Sequence, residues 1–275
     1  MGQKIVLVTG ASSGIGAAVS GLYAQQEASV VLVARDAARL QNVARSIQQS
    51  GGQAHAYAAD LASPEEVGGI ANRILTEVGV PDIIVNNAGA GRWASLVESS
   101  PEELRQMIDV PLMAALYVTR FFLPAMLERR GGSIVCVSSP ASYLAWKDAC
   151  GYISARRGLA GFCEALRLEV KSARVHVGLV ILGAVDTPYW SNNPGSQISV
   201  PTSHSVLLPT MAADQAARAI EQTVTGRRRT LTRPIAFRLL IALYALAPRL
   251  AERAMRFIGK RLRRKNSQAN KRAQR

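Results

Sequence analysis

The sequence predicts an α/β protein, a single doubly wound parallel sheet followed by a basic amphipathic helical extension. Three observations predict it. Short Val/Ile/Leu-rich runs alternate with amphipathic helical patterns from residue 4 to about residue 232, and a repeated β-α-β order implies parallel strands with right-handed crossovers. The runs are apolar throughout, as suits strands buried on both faces. Charge then divides the chain: residues 1–226 carry a net −1, whereas residues 227–275 carry +15 with Glu252 as their one acid. The domain division expected from this is 1–232 for the sheet-forming body and 233–275 for the extension.

Each element can be justified in turn. Lys4-Ile5-Val6-Leu7-Val8 runs into Thr9-Gly10 and reads as a first strand. Further strands are expected at 29–34, 53–59, 82–86, 133–138 and 175–182. The segments 14–26, 37–50, 64–78, 101–129 and 152–172 show helical periodicity and fill the crossovers. From 188 to 210 the chain is irregular, with Pro188, Pro194, Pro201 and Pro209, and a loop of that length reads as a functional lid. A helix over 212–225 and a short strand near 230–232 close the body.

Bulk properties narrow the classes. A hydrophobic content of 48% excludes wholesale disorder. Confinement of the +14 to the last fifth of the chain excludes a protein basic throughout. Cys136, Cys150 and Cys163 are too few for a disulfide scaffold and match no zinc spacing, so reduced thiols in a cytoplasmic protein are expected, two of them buried. No leader is expected before the first strand, and Val6 fails the N-myristoylation pattern. The apolar run at 239–247 is far short of a membrane span.

The chemistry begins at Thr9-Gly10-Ala11-Ser12-Ser13-Gly14-Ile15-Gly16. A strand, a glycine-rich turn and a helix offer free backbone N–H groups and a helix dipole to a pyrophosphate. An ordinary tight turn would need no such context. The spacing is Gly-x-x-x-Gly-x-Gly, and here the sequence resembles the short-chain dehydrogenase/reductase superfamily over roughly residues 3–232. Other motifs fall in the family's order: Asn86-Asn87-Ala88-Gly89 closing the fourth strand, Asp60-Leu61 after the third, Ser139 after the fifth, Tyr152 thirteen residues on, and Asp186-Thr187-Pro188 after the sixth.

The resemblance implies a Rossmann fold and hydride transfer between a nicotinamide cofactor and a carbonyl or alcohol. It assigns cofactor contacts to Gly10, Ser12, Ser13, Gly14, Ile15, Gly16, Asp60, Leu61, Asn87, Ala88, Gly89, Tyr152, Arg156, Gly183, Val185 and Thr187. Tyr152 becomes the acid/base, and Ser139 the holder of the substrate oxygen. At the end of the second strand an acid would favour NAD. The position holds Ala34, and Arg35 follows, a guanidinium able to pair with a 2′-phosphate, so NADP is preferred over NAD.

Two positions depart from the family. Its lysine, four residues after the tyrosine, is here Arg156, which keeps the charge but cannot pass a proton. Its asparagine aligns with Pro111, which has no side-chain amide or N–H and would kink a helix or start a new one. Asp109 is the nearest polar side chain and is expected on another helix face. A second Tyr-x-x-x-Lys, Tyr143 to Lys147, lies in the wrong context to serve. Two readings stay open: an oxidoreductase with an altered relay, or a cofactor-binding, catalytically weak module at a membrane.

Trp93, Trp146 and Trp190 each follow a strand's C-terminal end and, with Tyr189 and Val206-Leu207-Leu208, suggest a pocket for a lipophilic ketone or aldehyde. The family often pairs as a homo-oligomer, here through helices 111–129 and 152–172. Residues 234–247 are almost wholly apolar, and from Pro248 a second helical pattern sets Leu250, Ala254, Ile258 and Leu262 against Arg253, Arg256, Lys260 and Arg264. Three roles compete for this segment: an anchor on an anionic membrane surface through 234–265, a helix docked on the body or on a partner, and nucleic-acid binding. The last is disfavoured, since Tyr244 and Phe257 are the tail's few aromatics.

Overall fold

The computed structural model describes residues 3–193 and 208–253. Seven strands form one sheet, β1 (Ile5–Thr9), β2 (Ser29–Ala34), β3 (Gln53–Ala58), β4 (Ile83–Asn86), β5 (Gly132–Ser138), β6 (Val175–Leu182) and β7 (Thr230–Arg233). Their order is β3-β2-β1-β4-β5-β6-β7, and every pairing is parallel. The expected strands are present, with ends differing by one residue or so. The lid expected at 188–210 falls largely in 194–207, outside the described residues, as does the helical pattern beyond residue 253.

Side chains alternate along each strand between two cores. Leu7, Val31 and Val33 face one core, with Val177, Leu179 and Ile181 of β6 on the same side. Val6, Val8, Val30, Leu32, Val180 and Leu182 face the other. The first core is closed by α3 (Pro64–Glu77), α5 (Ala114–Glu128) and α6 (Cys150–Glu169), and the second by α1 (Gly14–Gln25), α2 (Ala37–Gln49) and α8 (Ala213–Thr225). A short α4 (Pro101–Ile108), one turn of α7 (Tyr189–Asn192) and α9 (Ala236–Leu246) complete the chain, and a further helical turn begins at Pro248.

The helical pattern expected as one run over 101–129 is continuous from Pro101 to Glu128 but carries a π turn in the middle. Helix α4 starts at a capping box, Ser100 with Glu103, and has Pro101 at its first position, where a missing N–H costs nothing. Residues Asp109–Met113 then form a π turn in which the Ala114 N–H donates to the Asp109 carbonyl, five residues back. Pro111 lies inside it. A proline cannot give the ordinary helical hydrogen bond, and an inserted residue lets the helix continue past the gap. The stretch 101–128 is long and apolar enough to cross a membrane, but here it is a core helix, with Ala114, Ala115, Val118, Phe122 and Met126 buried against the sheet.

Strand order reverses between β1 and β4, and hydrogen bonds lock that crevice. The buried Thr9 hydroxyl accepts from the N–H groups of Asn87 and Ala88, both at 3.0 Å, and the Asn87 side-chain amide donates to the Thr9 carbonyl at 3.0 Å. Thr9→Val should strand two donors and cost about 1–3 kcal/mol, read as a lower urea midpoint at unchanged slope. An unchanged midpoint would refute the cross-link.

His176 on β6 is buried, with Nε2 3.1 Å from the Arg228 carbonyl and no partner for Nδ1 among the described residues. Burial lowers its pKa below the ordinary 6.5, and Arg227 and Arg167 lower it further. Below pH 6.5 the unfolded chain therefore binds the proton first, so the stabilisation is complete above that pH and is lost as pH falls through it. The difference in Tm between wild type and His176→Asn should shrink from pH 7.5 to 5. A difference independent of pH would count against this.

Candidate active site

A cleft of about 810 Å³ opens beyond the C-terminal ends of β1, β2, β4, β5 and β6, where open α/β sheets bind ligands. Its floor at one end is the glycine turn. Gly10 and Gly14 have φ of +65° and +53°, a left-handed backbone that side chains resist. A Cβ on Gly10 would stand 2.9 Å from the Ala88 Cα, and one on Gly14 would stand 3.0 Å from Thr187. The turn delivers the chain into α1, whose N-cap Ser13 makes no side-chain cap bond and whose first turn holds no acid. The positive end of the helix dipole is thus left for an external anion.

The sequence-predicted residues largely converge here. Gly10, Ser12, Ser13, Gly14, Ile15, Arg35, Asp60, Leu61, Asn87, Ala88, Gly89, Ser139, Tyr152, Arg156, Gly183, Val185 and Thr187 all line this cleft. Gly16 does not. It is buried in α1, where a Cβ would come within 2.2 Å of the Gly10 carbonyl oxygen, so its part is to let the helix pack beneath the turn. Arg35 is exposed and makes no hydrogen bond or ion pair with the described residues, whereas the nearby Asp36 and Arg39 pair with each other at 3.3 Å.

At the other end stand the polar side chains of β5 and α6. Ser139 caps the 3-10 turn Pro140–Ser142, its Oγ accepting from the Ala141 N–H at 3.2 Å. That bond uses an oxygen lone pair and leaves the hydroxyl proton to be donated elsewhere. The turn is braced on α6 through Ser142, whose Oγ lies 2.7 Å from Ser138 Oγ and donates to the Arg156 carbonyl at 3.1 Å. Tyr152 and Arg156, one turn apart on α6, are both buried. The guanidinium carbon lies 5.0 Å from the Tyr152 ring centre.

Arg156 is held by one backbone bond, Nη1 to the Val137 carbonyl at 3.3 Å, and a Cβ on Gly89 would meet its Nη2 at 3.0 Å. Its Nε is buried with no partner among the described residues. Burial works against its charge, but the Tyr152 and Tyr189 phenols beside it hold its pKa above the usual guanidinium range. Tyr189, from α7, shares the same corner. Burial, then the neighbouring Tyr152, pushes its phenol well up, and Arg156 opposes the rise.

A tight glycine cradle at an uncapped helix N-terminus, with the Arg156 side chain lining the same cleft, fits a dinucleotide. The cradle Ser12–Ile15 would hold the pyrophosphate, and Arg156 would hold a ribose hydroxyl.

The alternative Tyr-x-x-x-Lys pair stands outside the cleft. Tyr143 points its hydroxyl to Glu164 at 3.3 Å, and Lys147 is 79% exposed beside Asp148. Pro111 is buried off the cleft, but Asp109 and Val110 line it. The expectation that Asp109 would face elsewhere missed the π turn, which changes the register of the faces. Asp109 there pairs with Arg105 at 3.1 Å.

The end of the cleft beside Tyr152 is apolar. Trp93 packs at 5.4 Å on Tyr152 and at 5.9 Å on Trp146, with Leu144 and Leu208 alongside. The side chain of Trp190 and residues Val206 and Leu207 lie outside the described residues. Phe237, Leu240 and Leu243 of α9, with Ala251, form another wall. Sequence reasoning placed these four in an extension beyond the body. Their signal was apolar periodicity, which does not say which surface a helix will cover.

A family model described as short chain dehydrogenase matches residues 4–197. An uncharacterised oxidoreductase of Mycobacterium tuberculosis is 34% identical over 236 residues, covering 84% of this chain and 67% of the relative. The ketoacyl reductase HetN of a Nostoc species is 27% identical over 259 residues, covering 93% of this chain and 89% of its own. The crystal structure of a metagenomic short-chain oxidoreductase in complex with NADP superposes with a TM-score of 0.68 at 30% identity, covering 83% and 94% of the two chains. The glycine cradle, the Asn87 crevice and the matched family model agree: the chain belongs to the short-chain dehydrogenase family.

Proposed function

We propose that this protein is an NADP-dependent oxidoreductase that interconverts a lipophilic ketone or aldehyde and its alcohol. The observation that carries the reading is the placement of Ser139, Tyr152 and Arg156 at one end of a cleft whose other end is the glycine cradle and Arg35. NADP, when bound, supplies or takes the hydride. The residues of the chain manage the oxygen and its proton. Ser139 donates its hydroxyl proton in a hydrogen bond to the substrate oxygen. Tyr152 gives a proton to that oxygen in reduction and removes it in oxidation. The Arg156 charge stabilises the tyrosinate that reduction leaves behind, and its guanidinium would hold the cofactor ribose. A guanidinium keeps its proton at working pH, so the proton that restores Tyr152 comes from water rather than through Arg156.

The weak-module reading rested on Arg156 and Pro111. Arg156 keeps a buried cation on Tyr152, and the π turn keeps the helix whole around Pro111, which supports turnover instead. NADP over NAD is supported by the exposed Arg35, which has no ion pair among the described residues, and by the NADP held in the related metagenomic oxidoreductase. An apolar substrate is supported by the Trp93, Trp146, Phe237 and Leu240 walls.

The finer reading also has the protein work as a homo-oligomer paired through α5 and α6, against an anionic membrane surface met by 234–265. Of that segment 234–253 are described.

Tyr152→Phe should lower kcat on an apolar aldehyde by about two to four orders of magnitude, with NADPH affinity, read by nucleotide fluorescence, nearly unchanged. Full activity in that variant would remove Tyr152 from the chemistry. Arg35→Ala should weaken NADPH binding about tenfold or more, as loss of a charge-assisted bond implies, and leave NADH binding as it was. Equal loss for both nucleotides would refute a 2′-phosphate contact.

A further inference from the structure

Helix α9 has two apolar faces, and the body covers one. Phe237, Leu240 and Leu243 line the cleft, and Ile241 packs on the core below the sheet. Away from Phe237 stand Ile235, Leu239 and Leu246, with Leu250 beyond the end of the helix, exposed by 63%, 74%, 86% and 61%. At about 100° per residue the first three fall within one stripe, which borders Leu243 at the edge of the cleft. A helix lying on a soluble body ordinarily shows polar side chains outward. Between Ala236 and Leu246 the one charge is Arg238, and the charges bordering the stripe are Arg233, Arg249 and Arg253 against the single acid Glu252. The face is apolar with a cationic border.

We propose that this outward face docks on an anionic lipid bilayer, with α9 lying in the headgroup plane and serving both surfaces: its outer stripe in lipid, its inner side as a wall of the cleft. The proposal rests on the reading of the cleft as the site of an apolar carbonyl, and it names the source from which that substrate comes. Leu243 lines the cleft and is still 43% exposed, so it belongs to the cleft and to the outer surface together and marks the rim past which a lipid-dissolved substrate reaches Tyr152. Charge favours lipid over a second copy of the chain. A two-fold contact through this face would set Arg238, Arg249 and Arg253 against their own equivalents, whereas an anionic headgroup layer gives each of them a counter-charge.

The test uses the full chain, sedimented with phosphatidylcholine vesicles with and without phosphatidylglycerol, at low and high salt. Wild type should bind the anionic vesicles, more weakly at high salt. Leu239→Glu with Leu246→Glu places two charges on the stripe and should reduce that binding about tenfold or more. Both positions are outside the cleft, so NADPH binding and turnover of a short, water-soluble aldehyde should stay at wild-type values. A lipid-dissolved aldehyde should lose turnover in the variant. Undiminished vesicle binding by the variant overturns the proposal, and so does equal binding of wild type to neutral vesicles. A change from dimer to monomer in the variant, with vesicle binding retained, makes the stripe a contact between copies and also overturns it. Absence of turnover on the soluble aldehyde in both proteins condemns the redox reading alone, since sedimentation decides the docking without it.

Discussion

The hydroxyl of Thr9 and the side-chain amide of Asn87 hold together the place where the sheet changes direction. Strands β1 and β4 pair in parallel there, and their crossovers leave toward opposite faces, so a crevice opens beyond their C-terminal ends. Thr9 accepts two N–H groups of the β4 loop, and Asn87 returns a bond to the β1 carbonyl. The same amide approaches the Gly10 carbonyl at 3.4 Å, which ties the glycine turn itself into the link. Gly10 can come this close because a Cβ there would meet Ala88. The cradle is therefore not a free loop but a backbone pinned between two strands. Both sides of the cleft depend on that pinning, since Gly89, three residues past β4, sits directly against the Arg156 guanidinium.

Arg156 shows how one changed residue is absorbed by its surroundings. A guanidinium is larger and flatter than an ammonium and needs planar contacts and several acceptors. The structure supplies a phenol ring on one side, the absence of a side chain at Gly89 on another, and the Val137 carbonyl. The guanidinium lies over the Tyr152 ring, and burial, then the neighbouring Tyr152, pushes the Tyr189 phenol well up while Arg156 opposes the rise.

Much of this was legible in the sequence because the signals were local. Uniformly apolar runs such as Val30 to Val33 predict a strand buried on both faces wherever it ends up, and the strand–glycine–helix run at Thr9 to Gly16 carries its own geometry. The failures were non-local. Pro111 was readable as a kink or a new start, but not as the π turn Asp109–Met113, whose Asp109 and Val110 line the cleft. Gly16 looked like a ligand contact because it shares a motif with residues that line the cleft, though its small size is used for packing.

For the apolar C-terminal end the sequence left three roles open, one of them a helix docked on the body. Sequence composition separates the neutral body from the basic end at about residue 227, and a boundary in charge invites a boundary in structure. Hydrophobic side chains do not respect it. Phe237 approaches Gly183 so closely that a Cβ there would stand 2.8 Å from its ring, and Gly183 is on the cleft floor after β6. The chain after β7 thus lies along the cleft, and the burial gained by Phe237, Leu240 and Ile241 holds α9 there. Once the inner face is committed to the cleft, the outer one cannot turn inward without emptying it. An apolar substrate filling the cleft would strengthen that commitment, because it adds contacts to the inner face alone. Occupancy of the site and presentation of the outer stripe are then linked through the orientation of a single helix.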